Sequence, residues 1–133
     1  MIILCWNSQT VSPRLIDTII QVPLLNSTWR GTFFYGDPRR HNRQAIWDSI
    51  RVLAQGVCHP WIMGGDFNEI TSITEKQGGH TQITRSMNMF NQLIEDCGLI
   101  DLGYHGQPYT WCNKRWRGNL IKERLDRFFY STD

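Results

Sequence analysis

The 133-residue chain has no Cys-x-x-Cys pair; its four cysteines, Cys5, Cys58, Cys97 and Cys112, stand singly. That spacing indicates neither a zinc knuckle nor a redox dithiol, and four buried thiols in a reducing compartment is the simplest expectation. Long apolar runs are also missing: none approaches the roughly 20 residues a bilayer span requires. The opening MIILCWNSQT lacks the basic flank, long apolar stretch and small-residue cleavage site of a secretory leader, so a soluble, non-secreted chain without a membrane partner is expected. There is no internal repeat, no low-complexity segment and no Pro/Gly/Ser-rich linker, and the length admits one domain and excludes two. Net charge is only +2.

What is present is a globular balance, 41% hydrophobic and 12% aromatic with six Trp, which excludes disordered and collagen-like chains. The small net charge hides an uneven distribution. Lys114 to Arg127 holds six basic residues against Glu123 and Asp126, a stretch that could face phosphates, although charge alone favours an ordinary surface. Asp66 to Asp101 reverses the balance, with six acids against Lys76 and Arg85.

Turn residues and alternation predict strands at Ile2 to Trp6, Leu15 to Val22 and Trp29 to Tyr35, with Asn7, Ser8 and Pro13 as turn residues after the first. Ile46, Ile50, Leu53 and Ala54 fall at helical spacing, predicting a helix over His41 to Gln55 that Gly56 stops. Trp61-Ile62-Met63 is a buried-strand signal leading into Gly64-Gly65-Asp66, and Phe67 to Thr84 reads as a long loop. A second helix, Ser86 to Cys97, carries Phe90, Leu93 and Ile94 on one face and ends at Gly98. Short strands follow at Ile100 to Leu102, Tyr109 to Cys112 and Leu125 to Tyr130. Hairpin-length connections outnumber βαβ crossovers, which argues for a mixed or antiparallel sheet with helices outside it.

The most informative string is Gly64-Gly65-Asp66-Phe67-Asn68. A strand ending in two glycines permits close approach to backbone, and alternation would point Asp66 and Asn68 to one side, a carboxylate to bind a hard cation or orient water beside an amide that donates to a phosphate oxygen. The same residues also make turns. Context weighs for chemistry. Trp29-Arg30, Phe34-Tyr35-Gly36, Trp47, the GDFN string, Glu75-Lys76, Gly78-Gly79, Leu102-Gly103, Tyr109-Thr110-Trp111-Cys112-Asn113 and Glu123-Arg124-Leu125-Asp126-Arg127 follow in an order that resembles the endonuclease/exonuclease/phosphatase family. More narrowly, the order is similar to the endonuclease domain of plant non-LTR (LINE-type) retrotransposons.

The resemblance implies an α/β fold, a partial four-layer α/β/β/α (DNase I-like) sandwich with mixed, mainly antiparallel sheets and outer helices. It implies Mg²⁺-assisted in-line hydrolysis of a DNA phosphodiester. Tyr35 matches the aromatic whose hydroxyl lies near the scissile phosphate. Asp66 matches the residue that orients or deprotonates water, Asn68 the phosphoryl-oxygen ligand, and Asp126 the acid that positions a catalytic His. Trp111 and Asn113 match a packing and positioning motif, and Lys114, Arg115 and Arg117 would contact the DNA backbone.

The family pattern also has an early Asn and a metal-binding Glu ahead of the Tyr segment and a closing Ser-Asp-His strand. Ser-Asp-His does not occur here, and His41, His59, His80 and His105 are expected to be exposed polar residues. Asn7 is rejected as the early Asn because only 28 residues separate it from Tyr35 and no Glu intervenes. Residues 1–133 are therefore read as one incomplete domain, truncated at both ends, without a metal ligand set of its own and with little or no turnover. A non-catalytic nucleic-acid-binding module and a functionless transposon remnant are the alternative readings. The compartment would be intracellular, and nuclear if the ancestral role is kept.

Overall fold

The computed structural model describes residues 5–12, 14–56 and 58–131. In chain order the elements are β1 (Cys5–Ser12), β2 (Leu15–Val22), β3 (Ser27–Tyr35), α1 (Arg40–Ala54), β4 (Trp61–Asp66), β5 (Lys76–Gln77), α2 (Arg85–Asp96), β6 (Leu99–Asp101), β7 (Trp111–Cys112), β8 (Lys122–Glu123) and β9 (Asp126–Ser131). Six strands form one sheet in the order β1-β2-β3-β4-β9-β6, and β5-β8-β7 form a small second sheet. Only β3 and β4 run parallel, joined by the α1 crossover; the other pairings are antiparallel. This is the mixed α/β architecture, two sheets with outer helices, that the resemblance implies.

Both helices cover one face of the large sheet. Trp47 and Ile50 of α1 and Phe90 and Leu93 of α2 meet Phe34, Trp61, Met63, Leu99 and Phe129, which register and alternation place on the same side of four adjacent strands. The core is aromatic, with Phe67 edge-on to both Phe34 and Phe129 and Trp47 stacked on Phe90. Such offset and edge contacts suit the ring quadrupole. The helices form where the periodicity predicts, within a residue or two at each end. Thr84 caps α2 by accepting from the Met87 N–H, and Gly98 takes the left-handed φ of 60° that ends it.

At the other end of that face a buried ion pair docks α1. Arg30 makes a two-pronged contact with Asp17 and donates through Nη1 to the Leu53 carbonyl at 2.8 Å, while Thr32 donates to Asp17 and accepts from Trp61 Nε1. Each buried polar atom in this chain of contacts thus has a partner, the condition for burying charge at tolerable cost.

The opposite face of the sheet carries, strand by strand, Ile16, Thr18, Ile20, Trp29, Phe33, Ile62, Ile100, Phe128 and Tyr130, of which Thr18 is fully buried. Among the described residues no helix or second sheet covers it. The Phe33 and Phe128 rings lie against Gly31 and Gly64, where a Cβ would fall 3.0 Å and 2.2 Å from ring atoms.

Four expectations are corrected. Asn7 and Ser8 are not turn residues: they lie within β1, whose backbone pairs with β2 through an irregularity between Ser8 and Thr10. Backbone pairing, not side-chain hydrophobicity, sets that strand, and residues 2–4 of the predicted strand lie outside the described residues. The stretch Phe67 to Thr84 is not one loop, since it contains a 3₁₀ turn at Ile73–Glu75 and strand β5. The thiols are not all buried: Cys58 is exposed and Cys97 and Cys112 are half-buried. Finally, the basic stretch does not present one face. Arg124 and Arg127 are buried, because Glu75 and Asp101 draw them inward as ion-pair partners. No helix of the described residues is long and apolar enough to cross a membrane.

Candidate active site

Strand register assembles the candidate site. Tyr35 at the end of β3 pairs with Asp66 at the end of β4, and Asp66 pairs with Asp126 at the start of β9, so the three form one row across the sheet on its uncovered face. They are 31 and 60 residues apart in sequence, yet adjacent strands separate by only about 4.8 Å. Tyr35 is 57% exposed, Asp66 is half-buried and Asp126 is exposed. Burial pushes the Asp66 carboxyl up from its ordinary value, against the Asn68 N–H it accepts, and the neighbouring Asp126 charge pushes in the same upward direction.

Two glycines let the strands close here. Gly65 has φ +145°, and a Cβ on it would lie 1.8 Å from the Phe34 carbonyl oxygen; one on Gly36 would lie 2.5 Å from the Asp66 carbonyl oxygen. Without side chains, Gly36 donates to that Asp66 carbonyl at 2.6 Å. Asn68 reaches the site by a different route from the alternation expected of a continuing strand. β4 ends at Asp66, the Asp66 carboxylate accepts from the Asn68 N–H at 2.9 Å, and Asn68 takes the left-handed conformation, φ 51°, that asparagine tolerates better than most residues. Its amide then donates to the Gly36 carbonyl at 2.8 Å, tying the GDFN turn to the Tyr35 segment. Arg14 reinforces the same point: it donates to the Gly36 carbonyl, pairs with Asp37 and lies 5.7 Å from the Tyr35 ring centroid.

Sequence reasoning gave Thr110 no role of its own. Its hydroxyl oxygen accepts from the N–H groups of both Leu125 and Asp126 at 3.0 Å, holding the start of β9 in place. The only sequence signal was its place in the Tyr109-Thr110-Trp111 string. Thr110→Val should cost about 1–2 kcal/mol by urea denaturation, because the two N–H groups lose their acceptor, while Thr110→Ser should restore most of it. Equal stability of Thr110→Val and the parent chain would overturn this role. A cleft of about 290 Å³ opens beside Asp126, lined in part by Gly65, Tyr104, Gln107, Thr110 and Phe128; no histidine lines it.

Trp111 and Asn113 stand apart from the row. Trp111 is 44% exposed on β7. Asn113 donates to the Asn119 carbonyl and accepts from the N–H groups of Arg115 and Ile121, so it organises the hairpin tip between β7 and β8. That tip carries Lys114, Arg115 and Arg117, all exposed, around an exposed Trp116. The four histidines are exposed, as expected. Glu69, next after the GDFN string, does not join the row: it receives Arg43 at 2.9 Å and the Ser86 hydroxyl, linking α1 to the first turn of α2.

Among the described residues there is no cluster of three or more His, Cys, Asp or Glu able to hold a metal ion. Asp66 and Asp126 nonetheless fit a Mg²⁺ shared with a phosphate, since Mg²⁺ commonly takes one or two protein carboxylates and keeps its waters.

A mixed sheet backed by helices, with a phenol, two carboxylates and an amide gathered at one strand end, defines a sandwich of the DNase I-like class. The Endonuclease/Exonuclease/phosphatase family model matches residues 4–133, and the chain belongs to that family. Its structure is similar to the endonuclease domain of TRAS1, a telomere-specific non-LTR retrotransposon, at TM-score 0.70 and 13% identity, covering 95% of this chain and 53% of that one. It is also similar to the AP endonuclease LMAP from Leishmania major, at TM-score 0.69 and 17% identity over 91% of this chain and 46% of that one. A third likeness is D. rerio TDP2 complexed with single strand DNA product, at TM-score 0.56 and 15% identity over 96% of this chain and 51% of that one. The chain therefore spans about half the length of these solved structures. No curated protein matches the sequence.

Proposed function

We propose that this chain carries the phosphate-handling part of a retrotransposon-type endonuclease site, whose ancestral reaction is Mg²⁺-dependent hydrolysis of DNA phosphodiesters, and that the 133-residue chain by itself turns over little or not at all. The observation that carries this reading is the Tyr35–Asp66–Asp126 row with Asn68 folded beside it. Asp66, its carboxyl raised by burial, is suited to accept a proton from an attacking water and to orient it. The second N–H of the Asn68 amide and the Tyr35 hydroxyl are neutral donors for non-bridging phosphate oxygens. With Asp66 as the proton acceptor, Asp126 is the carboxylate that would hold Mg²⁺, which would there neutralise charge developing on the phosphate. Low turnover follows from the histidines: all four are exposed and none lines the cleft at Asp126, so the site has no imidazole for that acid to position.

The direct test is nicking of supercoiled plasmid with Mg²⁺. Intact plasmid is expected; cutting that Asp66→Ala abolishes would overturn the inactivity and leave the site assignment standing, whereas cutting indifferent to Asp66→Ala would overturn both. DNA binding is expected through the exposed hairpin tip. Each of Arg115→Ala and Arg117→Ala should reduce the slope of log affinity against log salt by about 0.9, the value for one lost phosphate contact on duplex DNA. Absence of any binding at moderate salt would remove DNA as the partner.

A further inference from the structure

The strand-end row has a fourth member. The β2–β3 register sets Leu15 opposite Phe34, and one residue further it sets Arg14 opposite Tyr35, whose N–H donates to the Arg14 carbonyl at 2.9 Å. Opposed residues of an antiparallel pair share a face, and the Arg14 guanidinium lies 5.7 Å from the Tyr35 ring centroid. Across four adjacent strands the row therefore runs cation, phenol, carboxylate, carboxylate: Arg14, Tyr35, Asp66 and Asp126. The cation stands one strand spacing from the phenol and two from the nearer carboxylate, about 5 and 10 Å.

We propose that Arg14 binds the DNA phosphate that Tyr35 and Asn68 receive, from the side away from the two carboxylates. The inference rests on the reading of the row as a phosphodiester site. Two carboxylates alone repel an incoming phosphate. A cation beyond the phenol gives the row a polarity, with the anion drawn to the Tyr35 end and Mg²⁺ to the Asp126 end. A guanidinium suits the task because its planar fork of N–H donors matches phosphate oxygens. The Arg14 side chain is 36% exposed, and it is oriented by the Gly36 carbonyl at 3.3 Å and the Asp37 carboxylate at 3.5 Å. Asp37 is gripped more closely by Arg39, at 2.9 and 3.0 Å, and by Asn42 at 2.8 Å, so two guanidinium groups share one negative charge. Arg39 stands off the row, at the entry of α1.

Fluorescence anisotropy of a short labelled duplex, titrated at several KCl concentrations, tests this. Arg14→Gln should weaken binding about 10-fold, the low end for hydrogen bonding to a charged group, and lower the slope of log affinity against log salt by about 0.9. Arg14→Lys should keep the slope, and Arg39→Gln should leave both readings unchanged. A role confined to holding Asp37 would make Arg39→Gln the more harmful change, and mere surface charge would make the two equal; either result overturns the proposal. Phenylglyoxal labelling of the parent chain, mapped by mass spectrometry, needs no substitution. The duplex should shield Arg14 and leave Arg39 reactive, and equal labelling of Arg14 with and without DNA would also overturn the proposal. If Arg115→Ala lowers the slope and Arg14→Gln does not, Arg14 is excluded and the DNA reading stands; absence of any binding at moderate salt removes both.

Discussion

Arg127→Met should lower stability by about 3 kcal/mol, the low end for removing one partner from a buried ion-pair network, and lower the thermal midpoint by roughly 10 °C. The Arg127 side chain is fully buried; its Nη1 and Nη2 pair with Glu75 and Asp101, and Nη2 also donates to the Arg124 carbonyl at 2.8 Å. Its guanidinium lies 5.6 Å from the Phe90 ring centroid and 6.0 Å from that of Phe129. Removing the arginine leaves Glu75 and Asp101 with Arg124 as their one remaining cation. The pH dependence separates this from simple loss of packing. Burial alone would raise the Glu75 and Asp101 carboxyls, but for Glu75 the hydrogen bonds from Arg127 and Thr71, and for Asp101 those from Arg124 and Gly103, hold both below their ordinary values. A depressed carboxyl stabilises the fold above its unfolded value, about 4, and that contribution is lost as pH falls through the lower folded value. The parent chain should therefore show an acid limb from which Arg127→Met loses the share carried by Glu75, with the gap between the two widest at neutral pH, while Asp101 keeps Arg124. As a control, Arg115→Ala on the exposed hairpin should stay within about 0.5 kcal/mol of the parent. Urea denaturation across pH 3 to 7 reads all of this, and a constant gap between Arg127→Met and the parent would refute the electrostatic account.

Gly65→Ala should cost at least about 3 kcal/mol, through backbone strain together with overlap that side-chain motion cannot relieve. The added methyl would lie 1.8 Å from the Phe34 carbonyl oxygen, and φ +145° is a conformation that L side chains rarely adopt. Relief requires β3 and β4 to part where Tyr35 and Asp66 are paired, so the candidate site should disperse along with the fold. Gly118→Ala separates the two causes, for Gly118 also has positive φ, +83°, but nothing lies within 4 Å of its added Cβ. It should cost only about 1 kcal/mol. Equal losses at Gly65 and Gly118 would mean that the close approach of β3 to β4 contributes nothing.

Much of this was legible beforehand because certain signals are local. The two helices announce themselves by the spacing of Ile46, Ile50 and Leu53 and of Phe90, Leu93 and Ile94, since a 3.6-residue period follows from the helix itself. The GDFN string with Tyr35 and Asp126 marked the candidate site through family order. Strands of two residues such as β5 and β8 have no period to read, and β1, with its polar Asn7, Ser8 and Gln9, is held by pairing to β2. Neither leaves a trace in a hydrophobic pattern.

The basic stretch shows where sequence stops being informative. Arg117 and Arg127 are identical in type and ten residues apart, yet one is exposed on a hairpin and the other is buried between two carboxylates. Composition counts both as positive charge; only the approach of Glu75 and Asp101, 52 and 26 residues away in the chain, separates a nucleic-acid contact from a structural ion pair. What the sequence by itself determined is the family, the helices and the types of residue at the site. Tertiary structure alone decided that Tyr35, Asp66 and Asp126 form one row, that Asn68 turns back to hold Gly36, and that both described helices pack on one face of the sheet, because register and burial arise from contacts between segments far apart in the chain.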